Sequence, residues 1–250
     1  MPLLETFNQS GNWLFKNRSF IPLFLYPVAA ICILVESVDI IYTPDLLWSV
    51  SCFFISLLGL FIRTLVIGRV HKGTSGRNTK QQAASILNTK GIYSTVRHPL
   101  YLGNFLMWFG LVVYTGNIWF MIIAALLFWL YYERIMFAEE SYLRKKFGRD
   151  FETWAEHTPA FIPALKKWKK PALRFSIKKV IRREYRGFFA VILSFVFLNL
   201  LKNYAVHQSL QISRHWIMLL MIGGVFFITV HILNKKTTLL KPKTDQARSI

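Results

Sequence analysis

Long apolar runs are the feature of this sequence that most constrains its fold. Of 250 residues, 54% are hydrophobic and only 17% are charged, whereas soluble domains carry about 25% charged residues. A helix needs about 20 apolar residues to cross a bilayer, and its backbone amides must be paired within the lipid. The pattern predicts an all-α, multi-pass membrane protein with about six transmembrane helices. The predicted spans are residues 20–42, 46–62, 101–113, 118–136, 187–201 and 215–233.

The basic residues lie between the apolar runs and determine the predicted orientation. The formal net charge is +19, with 31 Lys and Arg against 12 Asp and Glu. Loops 63–97 and 142–187 and the tail after 234 carry 26 basic residues together, and the opposite connections carry two. Because cytoplasmic loops are enriched in Lys and Arg, both termini are expected in the cytoplasm. Anionic lipid headgroups, not nucleic acid, are the expected partner of this charge.

Changes in composition divide the chain into five segments. Residues 1–19 are expected to form an N-terminal interfacial segment, 20–163 the membrane core, 164–187 a basic amphipathic linker that forms an interfacial helix, 188–233 two additional transmembrane helices, and 234–250 a cytoplasmic tail. The fourth span is expected to continue to Phe147 as a helix of about 30 residues that protrudes into the cytosol. A short helix is expected over 81–90, ended by Gly91. The compact connections favour a bacterial cytoplasmic membrane.

Four isolated residues within apolar runs receive structural interpretations. Cys32 and Cys52 are interpreted as small hydrophobic residues, and no spacing of Cys or His predicts a metal site. Glu36 and Asp39 are ionisable residues inside the first span, where charge is costly. Both lie near its non-cytoplasmic end, so a structural or interfacial role is favoured.

Two polar stretches on the cytoplasmic side are expected at a similar depth of the bundle. His98 lies about 17 residues before the expected hairpin tip at Gly116, which places it about 26 Å along the third helix. Arg134 lies at a similar depth on the fourth helix, and the glutamates lie about one and a half turns further. Six side chains are therefore expected to line one pocket: Arg97, His98, Tyr101, Arg134, Glu139 and Glu140.

The residue types of this pocket suit a sulfonium nucleoside such as S-adenosyl-L-methionine. The carboxylate of Glu139 or Glu140 can accept hydrogen bonds from its ammonium group or ribose, and the faces of Tyr93 and Tyr101 can attract its cation. Pro99 frees backbone groups that can contact an adenine edge. Taken singly, these charges would be interpreted as headgroup-facing or solvated; together they favour a binding site.

The string GIYSTVRHPLYLG, followed by a glutamate pair and the ending FIP, closely resembles the isoprenylcysteine carboxyl methyltransferase family and, more loosely, the phospholipid methyltransferases. The resemblance covers residues 85–163 and implies an integral membrane enzyme that uses S-adenosyl-L-methionine. It also implies a basic residue about one turn before the glutamate that orients the acceptor. Arg134 lies five residues before Glu139, slightly out of that register, and two predicted spans follow Pro163. The residues implied to bind the donor are Ser85, Ile86, Leu87, Asn88, Tyr93, His98, Pro99, Leu100, Tyr101, Glu139 and Glu140.

The favoured function is methyl transfer to a membrane-embedded lipid or lipidated acceptor at the cytoplasmic interface, through a carboxylate or phosphate oxygen. Such an anion needs no general base, so alignment and exclusion of water would supply most of the catalysis. The candidate catalytic residues are Arg97 and Arg134, as cations that hold the acceptor, and Glu139. The alternatives are a phospholipid amine N-methyltransferase, which would need a base, a different lipid-modifying enzyme, and a non-enzymatic membrane protein that retains the pocket.

Overall fold

The computed structural model describes residues 2–35, 46–70, 82 and 84–240. These residues form eight α-helices, a few 3₁₀ turns and no β-strand, so the all-α prediction is confirmed. The helices are α1 (Leu3–Asn17), α2 (Leu25–Val35), α3 (Leu46–Ile67), α4 (Pro99–Thr115), α5 (Ile118–Phe147), α6 (Arg149–His157), α7 (Ile177–His207) and α8 (Arg214–Lys236).

Four helices, α3, α5, α7 and α8, are long and apolar enough to cross a membrane. The bent pair Leu3–Asn17 and Ile21–Val35, which turns by 77°, would be a fifth span if it crosses as one unit. Helix α4 is apolar but has only 17 residues. The multi-pass prediction is confirmed with four to five candidate spans by this measure. The end of the first predicted span, with Glu36 and Asp39, lies outside the described residues.

The turn between α4 and α5 forms at the predicted Gly-Asn tip. Gly116 ends α4 in the left-handed conformation with φ 87°, which glycine adopts without steric cost. Asn117 then caps α5, because its side chain accepts a hydrogen bond of 2.7 Å from the Phe120 amide. The two helices are antiparallel as a result, and α5 continues for 30 residues to Phe147, the length expected from the sequence.

Glycines bring α3 and α4 into close contact. A Cβ atom on Gly110 would lie 2.2 Å from the Ser56 hydroxyl oxygen and 2.6 Å from the Cys52 carbonyl oxygen. A Cβ on Gly59 would lie 2.4 Å from the Gly103 carbonyl oxygen. Small residues of this kind allow membrane helices to pack backbone to backbone, and this contact fixes the position of α4.

Antiparallel packing gives the bundle two distinct ends. Phe53 of α3 packs on Phe195 of α7, and nearer the other end of both helices Arg63 pairs with Glu184. We call the end that contains Ile67, Pro99 and Ile177 the site end, and the end that contains Gly116 and Gln208 the turn end.

Two local predictions differ from the structure. The short helix expected over 81–90 is wrong, because residues 84–90 are not helical and Gly91 instead bridges to Lys169, with a hydrogen bond of 3.0 Å from the Gly91 amide. The basic segment 164–187 is also not a separate helix. Residues 164–176 are largely irregular, and the rest begins α7, a helix of 31 residues capped by Ser176. The predicted interfacial helix and the predicted fifth span are therefore one helix, α7, because its basic first turns continue into its apolar turns without a break.

Helix α1 crosses α5 near the site end. Gly11 packs so tightly that a Cβ there would lie 2.2 Å from the Arg134 carbonyl oxygen. The Phe7 ring meets the ring of Phe137 edge to face at 5.6 Å. The N-terminal segment therefore covers the outer side of α5, next to the predicted site.

Candidate active site

Backbone hydrogen bonds fix the chain that enters α4. The amides of Arg97 and His98 donate to the carbonyl oxygens of Pro159 and Ala160, at 2.8 and 3.1 Å. The Ala164 amide returns a bond of 2.9 Å to the Thr95 carbonyl oxygen. The segment after α6 therefore lies alongside residues 95–98 and holds His98 at the N-terminal cap of α4. Pro99 occupies the first helical turn, where its missing N–H costs nothing.

Five side chains form an ionic cluster at this cap. His98 Nε2 lies 2.8 Å from Glu140 Oε1, and Arg97 Nε lies 2.9 Å from the same oxygen. The Tyr101 hydroxyl donates to Glu139 Oε2 at 2.8 Å, and His98 Nδ1 lies 3.7 Å from that oxygen. The imidazole thus bridges two neighbouring carboxylates of α5, and it is 5% exposed.

The two carboxylates determine the protonation of His98. Burial alone would lower the pKa of His98, but the hydrogen bonds and charges of Glu139 and Glu140 outweigh it, and the pKa of His98 is raised above its ordinary value. The contacts with both carboxylates therefore stabilise the imidazolium form of the ring. Nearby, burial and then the charge of Glu139 raise the pKa of Tyr93, so its hydroxyl stays protonated.

An aromatic stack continues from His98 into the bundle. The His98 and Tyr101 rings stack at a centroid distance of 5.6 Å, and Tyr101 stacks on Tyr132 at 5.1 Å. Phe161, from the segment after α6, contacts Phe105 of α4 at 6.0 Å. The cluster therefore has an apolar floor and one apolar wall that limit the access of water.

A groove of about 650 Å³, partly open to solvent, lies beside the loop that precedes α4. One wall is the end of α3 with Arg69, and the other is Pro171 and Ala172. Tyr93 contributes to the groove and is within electrostatic reach of Glu139. The loop residues in the lining are Ile86, Leu87, Asn88, Thr89, Lys90, Gly91, Ile92 and Tyr93.

The structure brings together most of the residues expected at the site, in two adjoining groups. Five of them form the ionic cluster at the N-terminal cap of α4: Arg97, His98, Tyr101, Glu139 and Glu140. Four line the groove: Ile86, Leu87, Asn88 and Tyr93. Pro99 is buried and Leu100 half-buried in the first turn of α4, while Ser85 is exposed.

Arg134 lies apart from the cluster. Its guanidinium stacks on the Phe7 ring of α1, 3.3 Å from the centroid. Five residues separate Arg134 from Glu139, and at about 100° per residue the two side chains leave α5 about 140° apart. The expectation that Arg134 shares a pocket with Glu139 is not met, because similar depth on a helix does not give the same face.

The polar residues that sequence reasoning did not place in or near the site are Arg18 and the bonded group of Arg63, Asn104 and Glu184. Arg18, at the end of α1, acts electrostatically on Glu139 and Tyr101. Arg63 donates to both carboxylate oxygens of Glu184, at 2.8 and 2.9 Å, and also bonds Asn104. The only sequence signal at Arg63 is its position at the end of an apolar run. The sequence does not indicate that Glu184 of α7 is its partner.

Comparison with known proteins identifies the family. Residues 47–150 match the phospholipid methyltransferase family. The chain is 32% identical over 146 residues to protein-S-isoprenylcysteine O-methyltransferase B of Arabidopsis thaliana, which covers 55% of this chain and 73% of that protein. No solved structure matches significantly. Among the described residues there is no group of three His, Cys, Asp or Glu that could hold a metal ion.

Two other relatives share shorter regions. Protein-S-isoprenylcysteine O-methyltransferase of Schizosaccharomyces pombe is 32% identical over 87 residues, or 35% of this chain and 37% of that protein. The nickel-cobalt-cadmium resistance protein NccN of Alcaligenes xylosoxydans xylosoxydans is 35% identical over 119 residues, or 47% and 52%. The chain thus spans about half or less of these two relatives. The match to the Arabidopsis protein, with the helical membrane fold, shows that this chain belongs to the integral membrane methyltransferase family that includes the protein-S-isoprenylcysteine O-methyltransferases.

Proposed function

We propose that this protein transfers a methyl group from S-adenosyl-L-methionine to an anionic oxygen of a lipid or lipidated acceptor at the membrane interface. The observation that carries the proposal is the position of Glu139, a carboxylate held by Tyr101 and His98 and within electrostatic reach of Tyr93, which lines the groove before α4. Family membership makes methyl transfer the expected chemistry.

The residues around Glu139 fit the donor. Each carboxylate keeps one oxygen outside these contacts, Oε1 of Glu139 and Oε2 of Glu140, and Glu139 is the more exposed of the two, at 33% against 24%. Glu139 is therefore the carboxylate that can receive an ammonium group or ribose hydroxyls. Residues 86–88 and Tyr93 would hold the nucleoside side of the molecule. When bound, the donor supplies an electrophilic methyl group next to a positive sulfur.

The remaining residues position the reactants and exclude water. Tyr101 is held by stacking between His98 and Tyr132, so its hydroxyl keeps Glu139 in one orientation. Phe161 and α1 close the sides. Because both ring nitrogens of His98 already face Glu139 and Glu140, this ring is not positioned to take a proton from an acceptor, which favours an anionic acceptor that has no proton to lose.

Cations near the cluster would hold the acceptor anion. Arg97 uses Nε for Glu140 and Nη1 for the Ala155 carbonyl oxygen at 2.7 Å, so its Nη2 is the atom we assign to the acceptor. Arg134 keeps its predicted role only for an acceptor that binds between α1 and α5, next to Phe7. Exclusion of water and alignment then supply the rate increase.

We also propose that the site end faces the cytoplasm and that both termini lie there. The support is the distribution of basic residues, since the loops of the site end carry nearly all Lys and Arg between spans. The five segments defined by composition keep the same interpretation, except that the basic linker and the first additional span share α7. Anionic headgroups would be partners of the exposed basic loop 166–170.

Labelled methyl transfer tests the proposal. The purified protein is incubated with methyl-labelled S-adenosyl-L-methionine and membrane extract, and the lipid fraction is treated with mild alkali. A carboxyl methyl ester releases volatile labelled methanol, whereas a methylated amine keeps its label. We expect label in the lipid fraction from the wild-type protein and little from Glu139→Gln; no label with any extract would contradict the proposal.

A phospholipid amine is the second candidate acceptor. The family that matches residues 47–150 is described as phospholipid methyltransferase, and this observation supports it. An ammonium acceptor would have to lose a proton to a base, and the partly exposed carboxylate of Glu139 would be the nearest candidate. Alkali-stable label in an amine headgroup would select this alternative over the anionic acceptor.

A further inference from the structure

Helices α7 and α8 form an antiparallel hairpin beyond the region that matches the family, which ends at residue 150. A Cβ on Gly223 would lie 2.5 Å from the Ile192 side chain, Phe189 stacks on Phe227 at 4.8 Å, and Tyr185 faces His231. The residues of α7 and α8 that face each other therefore keep the same register toward the site end. One turn beyond Tyr185, this register places Arg182 opposite the last turn of α8, which holds Lys235.

A hydrogen-bonded chain of three side chains crosses this hairpin at the site end. Arg186 Nε donates to the Tyr185 hydroxyl at 3.0 Å, and this hydroxyl lies 3.2 Å from His231 Nδ1. The His231 ring stacks on Phe227 with a centroid distance of 5.8 Å. Tyr185 is buried, whereas Arg186 is exposed. The guanidinium is therefore oriented through Nε, with its terminal nitrogens directed away from the protein core.

Basic side chains outnumber carboxylates in the described residues of this hairpin end. Residues 177–190 and 227–240 contain one carboxylate, Glu184. Glu184 is bound by Arg63 of α3, on another side of α7 from the hairpin contact. Arg182 and Arg186 are four residues apart and share a helix face, and Lys235 follows His231 by the same spacing.

We propose that the basic group of Arg182, Arg186, His231 and Lys235 at this end of the hairpin binds the phosphate of an anionic membrane phospholipid. A guanidinium held by one nitrogen presents its remaining donors to phosphate oxygens in a fixed geometry. Basic pockets between membrane helices at the headgroup level bind anionic lipids in this way. The neighbouring surface of α8 exposes Val225, Ile228 and Ile232, along which acyl chains can lie.

This lipid site differs from the proposed active site. Its residues belong to α7 and α8, and none of them contacts the cluster of His98, Glu139 and Glu140 in the described contacts. The site gives the additional hairpin a role, which is to bind an anionic headgroup at the site end of the bundle. It does not depend on methyl transfer.

Lipid-dependent thermal stability of the full-length protein in neutral detergent tests the lipid site. Phosphatidylglycerol, phosphatidylcholine and inorganic phosphate are compared at equal phosphate concentration. We expect phosphatidylglycerol alone to raise the melting temperature. The Arg182→Gln/Arg186→Gln protein should lose most of this rise and bind phosphatidylglycerol at least fivefold more weakly, as counted by native mass spectrometry.

Two further variants keep the test decisive. Lys145→Gln/Lys146→Gln removes the same charge from exposed positions in the last turn of α5 and should keep the full rise. Tyr185→Phe leaves the charge unchanged and removes the hydroxyl that orients Arg186, so it should weaken lipid binding even if the double arginine variant does not fold. Equal loss in the lysine variant, an unchanged Tyr185→Phe protein, or equal stabilisation by inorganic phosphate would each overturn the proposal.

Discussion

Tyr101 donates a hydrogen bond of 2.8 Å to Glu139, across the interface between α4 and α5. The bond joins the helix that begins after His98 to the helix that carries both acidic residues. Because the Tyr101 ring also lies between two stacked rings, the carboxylate of Glu139 is held in one place before any ligand binds.

Removal of the Tyr101 hydroxyl should weaken donor binding. A hydrogen bond to a charged group contributes about 1.5–3 kcal/mol, so Tyr101→Phe should raise the KM for the donor by about tenfold or more. Tyr131→Phe is the matched control, because the buried Tyr131 hydroxyl has no hydrogen-bond partner among the described residues. Steady-state kinetics of both variants measures the difference; an equal KM in both would separate Tyr101 from the donor site.

Stability should fall with rising pH because of His98. Its folded-state pKa is raised by the two glutamates, so its contribution is fully present below the unfolded pKa of about 6.5 and is lost as the pH rises through the folded pKa. The melting temperature of the wild-type protein should decline over that window more steeply than that of His98→Asn. His157→Asn, at an exposed position, is the control and should keep the wild-type slope. Parallel curves for the wild type and His98→Asn would show that His98 does not carry this charge.

Close packing of α3 and α4 should not tolerate a larger residue. Gly110→Ala places a methyl group 2.2 Å from the Ser56 oxygen and 2.6 Å from the Cys52 backbone, and overpacking of this kind costs about 1–3 kcal/mol. Gly224→Ala is the control, because the nearest atom to its Cβ, on Phe189, is 3.9 Å away. Thermal unfolding in detergent should show a lower melting temperature for Gly110→Ala alone. A stable Gly110→Ala protein would mean that the two helices are further apart.

The Arg63–Glu184 pair should attach α7 to the core. The pair is bidentate and Glu184 is only 7% exposed, and loss of one partner of a buried pair costs about 3–5 kcal/mol. Since Arg63 is 24% exposed, we expect Glu184→Ala to fall at or below the lower limit. Glu152→Ala breaks an exposed pair with Arg144 at 3.7 Å and should cost about 0–1 kcal/mol. A double-mutant cycle with Arg63→Met measures the coupling, and additive effects would contradict it.

The helical membrane architecture could be predicted because lipid imposes it on any apolar run of sufficient length. The turn at Gly116 and Asn117 and the extension of α5 to Phe147 followed from local capping rules. The helix expected before Gly91 was wrong, because a tertiary bridge to Lys169 decides that segment. No local rule reveals a contact made with a residue 78 positions away.

Some residues of the candidate site could likewise be predicted from the sequence, and others could not. The sequence predicted that His98 lies within about one and a half turns of Glu139 and Glu140 on two antiparallel helices, and the structure has these side chains in contact. The predicted position of Arg134 was wrong, because it was based on distance along α5 and not on the angle around the helix axis. The Arg134 side chain faces Phe7. The roles of Arg18 and Glu184 depend on where α1 and α7 pack, and hydrophobic periodicity does not specify which neighbour a membrane helix selects.

Binding of S-adenosylhomocysteine to the purified protein is the most direct test of the account. Calorimetry or thermal shift in detergent should detect binding to the wild type, and Glu139→Gln should weaken it about tenfold, which corresponds to about 1.4 kcal/mol. Glu152→Gln, on the exposed face of α6, should bind as the wild type does. No binding by the wild type, or unchanged affinity in Glu139→Gln and in the Glu139→Gln/Glu140→Gln protein, would contradict the placement of the donor.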